Sequence, residues 1–125
     1  MAGGTVLVTG AARRLGRAIA LDLAGAGWNV AVHYNGSAED AERCAAEARA
    51  KGVNAVALQA DLSRESETAT LVDRAATALG PLTALVNSAS LFEEDDWQSA
   101  TRKSWDAHIE TNLRAPLVLE VCNAF

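Results

Sequence analysis

Cysteine and proline are scarce in this 125-residue chain, with two of each, and acidic residues outnumber basic ones by 16 to 11. The two cysteines, Cys44 and Cys122, fall in separate predicted helices and lack the close spacing of a metal site. Reduced, structural thiols and a cytoplasmic setting are therefore expected. A net charge of −5 and a pI near 4.9 argue against a general nucleic-acid surface. No uninterrupted apolar stretch approaches the length of a membrane span. Met1-Ala2-Gly3-Gly4 leads straight into a strand, without the basic and apolar segments of a secretory leader. The one run of like charge, Glu93-Glu94-Asp95-Asp96, suits a solvated loop, and no metal site is expected there or elsewhere. The length bounds the chain to one domain, residues 1–125.

What is present is organised around Val6-Leu7-Val8-Thr9-Gly10-Ala11-Ala12-Arg13-Arg14-Leu15-Gly16. A short apolar strand ends in Thr-Gly, a small-residue turn follows, and Leu15-Gly16 opens a run with helical spacing. Free N–H groups at a helix start, reinforced by the macrodipole, make a phosphate site. Gly10 permits the tight turn, and Gly16 lets the helix pack closely. Arg13, Arg14 and Arg17 lie at or within the first turn, where cations are unfavourable; they call for a compensating anion, and phosphate suits the geometry, or they are simply solvated. The five residues between Gly10 and Gly16, followed by Arg17-Ala18, exclude a regular P-loop. The literal G-x-G-x-x-G dinucleotide fingerprint is not matched either.

The rest of the chain alternates strands and helices. Thr5 to Thr9 is the first strand, apolar and continuous as in a buried parallel strand. The first helix spans Arg14 to Ala26, with Leu15, Ile19 and Leu23 as its buried stripe and Gly25 and Gly27 as its stop. A second strand covers Asn29 to Tyr34. Ser37 is expected as the N-cap of the second helix, with Asp40 reciprocating, and that helix runs to Lys51 before Gly52. Val53 to Gln59 forms the third strand. Ser63 caps a third helix from Arg64 to Leu79, ended by Gly80-Pro81. Leu82 to Val86 is the fourth strand. A last helix opens at Thr101 or Ser104, with Trp105, Ile109, Leu113, Leu117 and Val121 as an apolar stripe and a kink where Pro116 removes an amide.

Thr9-Gly10-x5-Gly16 after a first strand resembles the short-chain dehydrogenase/reductase family. Arg14 stands where that family usually has a further glycine, which is similar to its pteridine-reductase branch. His33-Tyr34-x-x-Ser37 and Asn87-Ser88-Ala89-Ser90-Leu91-Phe92 carry the same likeness, the latter in place of Asn-Asn-Ala-Gly. The resemblance implies an α/β fold: a Rossmann-type doubly wound parallel sheet in strand order 3-2-1-4, truncated before the later strands. It implies cofactor contacts from Gly10, Arg13, Arg14, Leu15 and Gly16 in the first turn. It adds His33, Tyr34, Asn35 and Ser37 after the second strand, Asp61 and Leu62 after the third, and Asn87, Ser88, Ala89 and Ser90 after the fourth. In the family, the residue matching Asp61 lies beside the adenine, Asn87 braces the sheet, and Asn112 holds a water in the proton relay. Ser90 and Phe92 would meet a flat substrate ring. Read from the residues alone, Asp61 is equally a turn residue, Phe92 a loop anchor and Asn112 a helix residue freed by the proline kink.

No carboxylate follows the second strand until Glu39, where an NAD site would place one against the ribose. With Arg13 and Arg14 near, NADP(H) is expected over NAD(H); otherwise His33 and Tyr34 merely finish a strand. The family's Tyr-x-x-x-Lys is missing, since Tyr34 is followed at that spacing by Ala38 and the two lysines, Lys51 and Lys103, are preceded by Glu47 and Ser99. The expectation is an NADP(H)-dependent oxidoreductase acting on a small molecule, present as its N-terminal cofactor-binding half. It should neither span a membrane nor bind nucleic acid, and should form a homo-oligomer through the last helix. The alternatives are a non-catalytic NADP(H)-binding module or truncated gene product, and an interaction fragment that binds no nucleotide and uses only the apolar last helix.

Overall fold

The computed structural model describes residues 3–89 and, beyond them, Arg102, Lys103, Asp106 and Leu119. Strands β1 (Thr5–Thr9), β2 (Asn29–Tyr34), β3 (Ala55–Gln59) and β4 (Ala84–Asn87) alternate with helices α1 (Arg14–Gly25), α2 (Ala38–Ala50) and α3 (Glu65–Leu79). All strand pairs are parallel, in the order β3-β2-β1-β4, as the sequence pattern predicts. The register aligns Val8 with Val32 and Thr9 with Asn87, so the carboxyl ends of β1, β2 and β4 share one edge. The chain order reverses between β1 and β4, where a doubly wound sheet opens a crevice.

Side-chain alternation sends successive residues to opposite layers. Val6, Val8, Val30 and Val32 pack under α1 and α2, whereas Leu7 and Ala31 pack with α3 and with Leu119. The first layer is built from small side chains: Ala20 and Ala24 on α1, and Ala41, Cys44, Ala45 and Ala48 on α2, all fully buried or nearly so. Small residues let both helices sit close to the sheet. Buried α1 positions are thus Gly16, Ala20 and Ala24, one residue on from the expected Leu15–Ile19–Leu23 stripe. Ile19 and Leu23 are only half-buried, and Leu15 is 68% exposed at the helix start. Bulk at the seam would hold α1 away from the sheet, so the smallest residues take it.

Two expected caps do not form. Ser37 stands at the N-cap of α2 without a side-chain hydrogen bond, and Asp40, instead of reciprocating, turns to Arg13 and Arg43. Arg64, not Ser63, is the N-cap of α3; Ser63 donates its N–H and hydroxyl to Asp61 in the preceding turn. The stops are as expected: Gly27, Gly52 and Gly80 all take left-handed φ values of 94–95°. Arg102 pairs with Asp106 one helical turn on. Leu119, absent from the predicted stripe, is fully buried against the α3 layer. That stripe itself, the Pro116 kink, Cys122 and the 93–96 acidic run lie outside the described residues.

Candidate functional site

A cleft of about 510 Å³ opens at the carboxyl edge of the sheet. It is lined by Gly10, Arg13, Arg14, Leu15 and Gly16, by His33 and Asn35, by Asp61 and Leu62, and by Ser88 and Ala89. Every one of these is a residue that the sequence nominates. Four segments separated by long stretches of chain converge because parallel strands put all their carboxyl ends on one side.

The first turn is the tightest part. Gly10 has φ +63°, and a Cβ there would come within 2.8 Å of the Ala89 Cα. A Cβ on Gly16 would stand 2.1 Å from the Gly10 carbonyl oxygen, so the start of α1 rests directly on the turn. Arg13 is the N-cap of α1, with no side-chain capping bond. The N–H groups of Arg14, Leu15 and Gly16 find no partner among the described residues. Arg14 holds φ +53°, the left-handed conformation that glycine adopts freely and other residues rarely.

The three first-turn arginines do not share one fate. Arg13 pairs with Asp40 and Arg17 with Glu47, both from α2, so their compensating anions are internal rather than the expected phosphate. Asp40 also takes Arg43, and the bonds from Arg13 and Arg43 hold its carboxyl below the usual range. Arg14 has no ion-pair partner among the described residues and lines the cleft.

His33 is buried, 2% exposed. Gly10 N–H donates to its Nδ1 at 2.9 Å, and its Nε2 lies 2.8 Å from the Ala60 carbonyl oxygen. Burial, with Arg74 as a lesser cause, pushes its pKa below the ordinary value, although the Ala60 bond opposes this. Both ring nitrogens are therefore occupied by backbone. Asp61 takes the N–H and hydroxyl of Ser63, which lower its pKa, and its own N–H donates to Glu67. At the next loop, Gln59 donates its amide to the Asn35 carbonyl oxygen.

Three expected site residues stand apart from the cleft or in another role. Tyr34 points to the α1–α2 layer, because it alternates with His33 along β2. Ser37 begins α2 without lining the cleft. Asn87 is exposed and makes no side-chain bond among the described residues. Among those residues the end of β4 is held by Thr9, which sequence reasoning passed over. Its hydroxyl accepts from Ser88 N–H at 3.0 Å and Ala89 N–H at 3.1 Å, and donates to the Val86 carbonyl at 3.5 Å. A threonine ending a strand just before the glycine was the available signal. Ser90, Phe92 and Asn112 lie outside the described residues.

Comparison with known proteins agrees with this geometry. The short chain dehydrogenase family model matches residues 4–124. A curated relative, the 3-oxoacyl-(acyl-carrier-protein) reductase FabG of Staphylococcus aureus, is 41% identical over 110 residues, covering 88% of this chain and 45% of the relative. A short chain dehydrogenase from Burkholderia cenocepacia, solved in complex with NADP, is 39% identical with a TM-score of 0.95 over 98% of this chain and 50% of its own. FolM alternative dihydrofolate reductase 1 from Brucella canis, complexed with NADP, is 40% identical with a TM-score of 0.92, over 98% of this chain and 49% of its own. The chain spans about half the length of the relatives it matches. Sheet order, glycine turn and family match converge: the chain belongs to the short-chain dehydrogenase family.

Proposed function

We propose that this chain is the NADP(H)-binding half of a short-chain oxidoreductase. The observation that carries the reading is the Gly10–Gly16 contact, which sets a helix start without a side-chain cap beside one cleft, together with Arg14, which has no ion-pair partner among the described residues. The residues fit a dinucleotide: the turn has no Cβ to obstruct a phosphate, and donors outnumber acceptors around it. Gly10, Arg14, Leu15 and Gly16 would hold the phosphates. Asp61 and Leu62 would flank the adenine, and Ser88 and Ala89 would approach the far end of the cofactor. Arg13 and Asn35 would border the ribose, where the nearby Asp40 carboxylate is already paired with Arg13 and Arg43. When bound, NADP(H) supplies or receives the hydride.

The chain's own residues bind and orient. Asn112 would hold a water for proton movement, and Ser90 and Phe92 would meet a flat heteroaromatic ring of pterin type. FabG and FolM, similarly identical to this chain, are named for different substrates, so the ring rests on Arg14, Ser90 and Phe92. A homo-oligomer through the last helix and a cytoplasmic setting complete the proposal. The alternative module, which binds NADP(H) without turnover, has in its favour that these 125 residues contain no Tyr-x-x-x-Lys. Reduction of any substrate by this chain alone excludes it.

Fluorescence titration with NADPH and NADH tests the reading. NADPH should bind about tenfold more tightly, as expected for a charge-assisted contact to the extra phosphate. Equal affinities overturn the coenzyme preference, and no binding of either overturns the proposal.

A further inference from the structure

Two successive amides of the glycine turn end on one residue. Gly10 N–H donates to the His33 ring at Nδ1, and Ala11 N–H donates to the His33 carbonyl oxygen at 2.9 Å. Because a backbone amide only donates, Nδ1 must be the bare, accepting nitrogen. The proton is then on Nε2, which donates to the Ala60 carbonyl. The ring is thereby fixed in one tautomer. It ties together three loops: the one after β1, the end of β2 and the one after β3.

We propose that His33 is the positioning residue of the phosphate-binding turn, its neutral ring holding Gly10 in place so that the start of α1 is presented to the cofactor. This rests on the NADP(H) reading of the cleft. Protonation of Nδ1 would set a donor against the Gly10 donor, and the turn would lose its anchor. Burial opposes that protonation, as does the Arg74 guanidinium on α3. The cleft that His33 lines also holds Asp61, from the loop after β3, and Arg13 and Arg14, from the first turn. Below the histidine range, therefore, the turn loosens and cofactor affinity falls.

Two conservative substitutions separate this role from mere packing. In His33→Asn the side-chain oxygen stands near the place of Nδ1 and can still accept from Gly10. In His33→Gln the amide nitrogen stands near the place of Nε2 and can still donate to Ala60, but Gly10 loses its acceptor. Amide exchange at Gly10, followed by NMR without cofactor, should show protection at pH 8 in the wild type and His33→Asn, and its loss in His33→Gln. NADPH affinity at pH 8 should be about ten times weaker in His33→Gln, and within about threefold of the wild type in His33→Asn. Between pH 8 and 5.5 the wild type should lose more affinity than His33→Asn, by less than about tenfold because the folded ring titrates below its ordinary value. Titration of the 2′-phosphate, whose second pKa is about 6, is common to both and cancels in that comparison. A freely exchanging Gly10 amide in the wild type at pH 8, or equal affinities and pH profiles in the two variants, overturns the proposal. If the wild type binds no NADPH while Gly10 stays protected, the cofactor reading fails and the positioning role with it, leaving only a structural clamp.

Discussion

Replacing Gly16 with alanine should damage binding far more than folding. The new Cβ would lie 2.1 Å from the Gly10 oxygen, 2.8 Å from the Gly10 carbonyl carbon and 3.1 Å from the Ala11 Cα. Carbon and oxygen settle no closer than about 3.3 Å, so the helix start must withdraw from the turn by roughly 1 Å. Overpacking of this kind costs about 1–3 kcal/mol. Alanine regains about 1 kcal/mol as the better helix former, which leaves a net loss of about 0–2 kcal/mol. The phosphate-facing amides move with the helix, and a charge-assisted hydrogen bond is worth about 1.5–3 kcal/mol. Loss of one such bond weakens NADPH roughly ten- to hundredfold. Urea unfolding followed by circular dichroism, beside an NADPH titration, measures both quantities. Affinity within twofold of the wild type would refute the reasoning, as would a stability collapse large enough to explain the lost binding.

Thr9→Val should cost about 1–3 kcal/mol, because the Ser88 and Ala89 amides lose their acceptor, and Thr9→Ser should recover most of it; denaturant midpoints decide. Arg14→Gly should relieve the left-handed strain and gain up to about 1 kcal/mol, while NADPH binds about tenfold more weakly. A variant that loses stability and keeps affinity contradicts that assignment. Acid should destabilise the protein in two windows. His33 titrates lower when folded than when unfolded, so its contribution is complete above about pH 6.5 and is lost as the pH falls below that value. Asp40 and Asp61, also lowered in the folded state, contribute above about pH 3.9 and fail only below it. Melting temperatures from pH 8 to 5 should decline in the wild type and stay flatter in His33→Asn; parallel curves would exclude His33 as the cause.

Much of this was legible in residue order. Strands β1 and β2 begin and end where apolar runs give way to Thr-Gly and His-Tyr, since a strand buried on both faces must be apolar throughout. The cleft-lining residues were nominated by the family resemblance, and they meet because parallel strands gather their carboxyl ends. The failures concern which partner a side chain chooses. Leu15 looked like core by spacing, yet close packing of α1 favours Gly16, Ala20 and Ala24. Asp40 had the place of a capping partner but found two guanidinium groups. Thr9, at the end of β1, was not nominated, yet its hydroxyl holds the Ser88 and Ala89 amides. Each of these outcomes depends on a neighbour distant in sequence, which local spacing does not reveal.

Amide NMR during an NADPH titration tests most directly whether the first turn holds the cofactor phosphates. The amides from Gly10 to Gly16 should shift most and saturate together, with Asp61, Ser88 and Ala89 following at the same midpoint. Gly52 and Gly80, in left-handed turns away from the cleft, should remain where they are. Saturable binding that leaves Gly10 to Gly16 unmoved, or no binding at all, would contradict the placement of NADP(H) in this cleft.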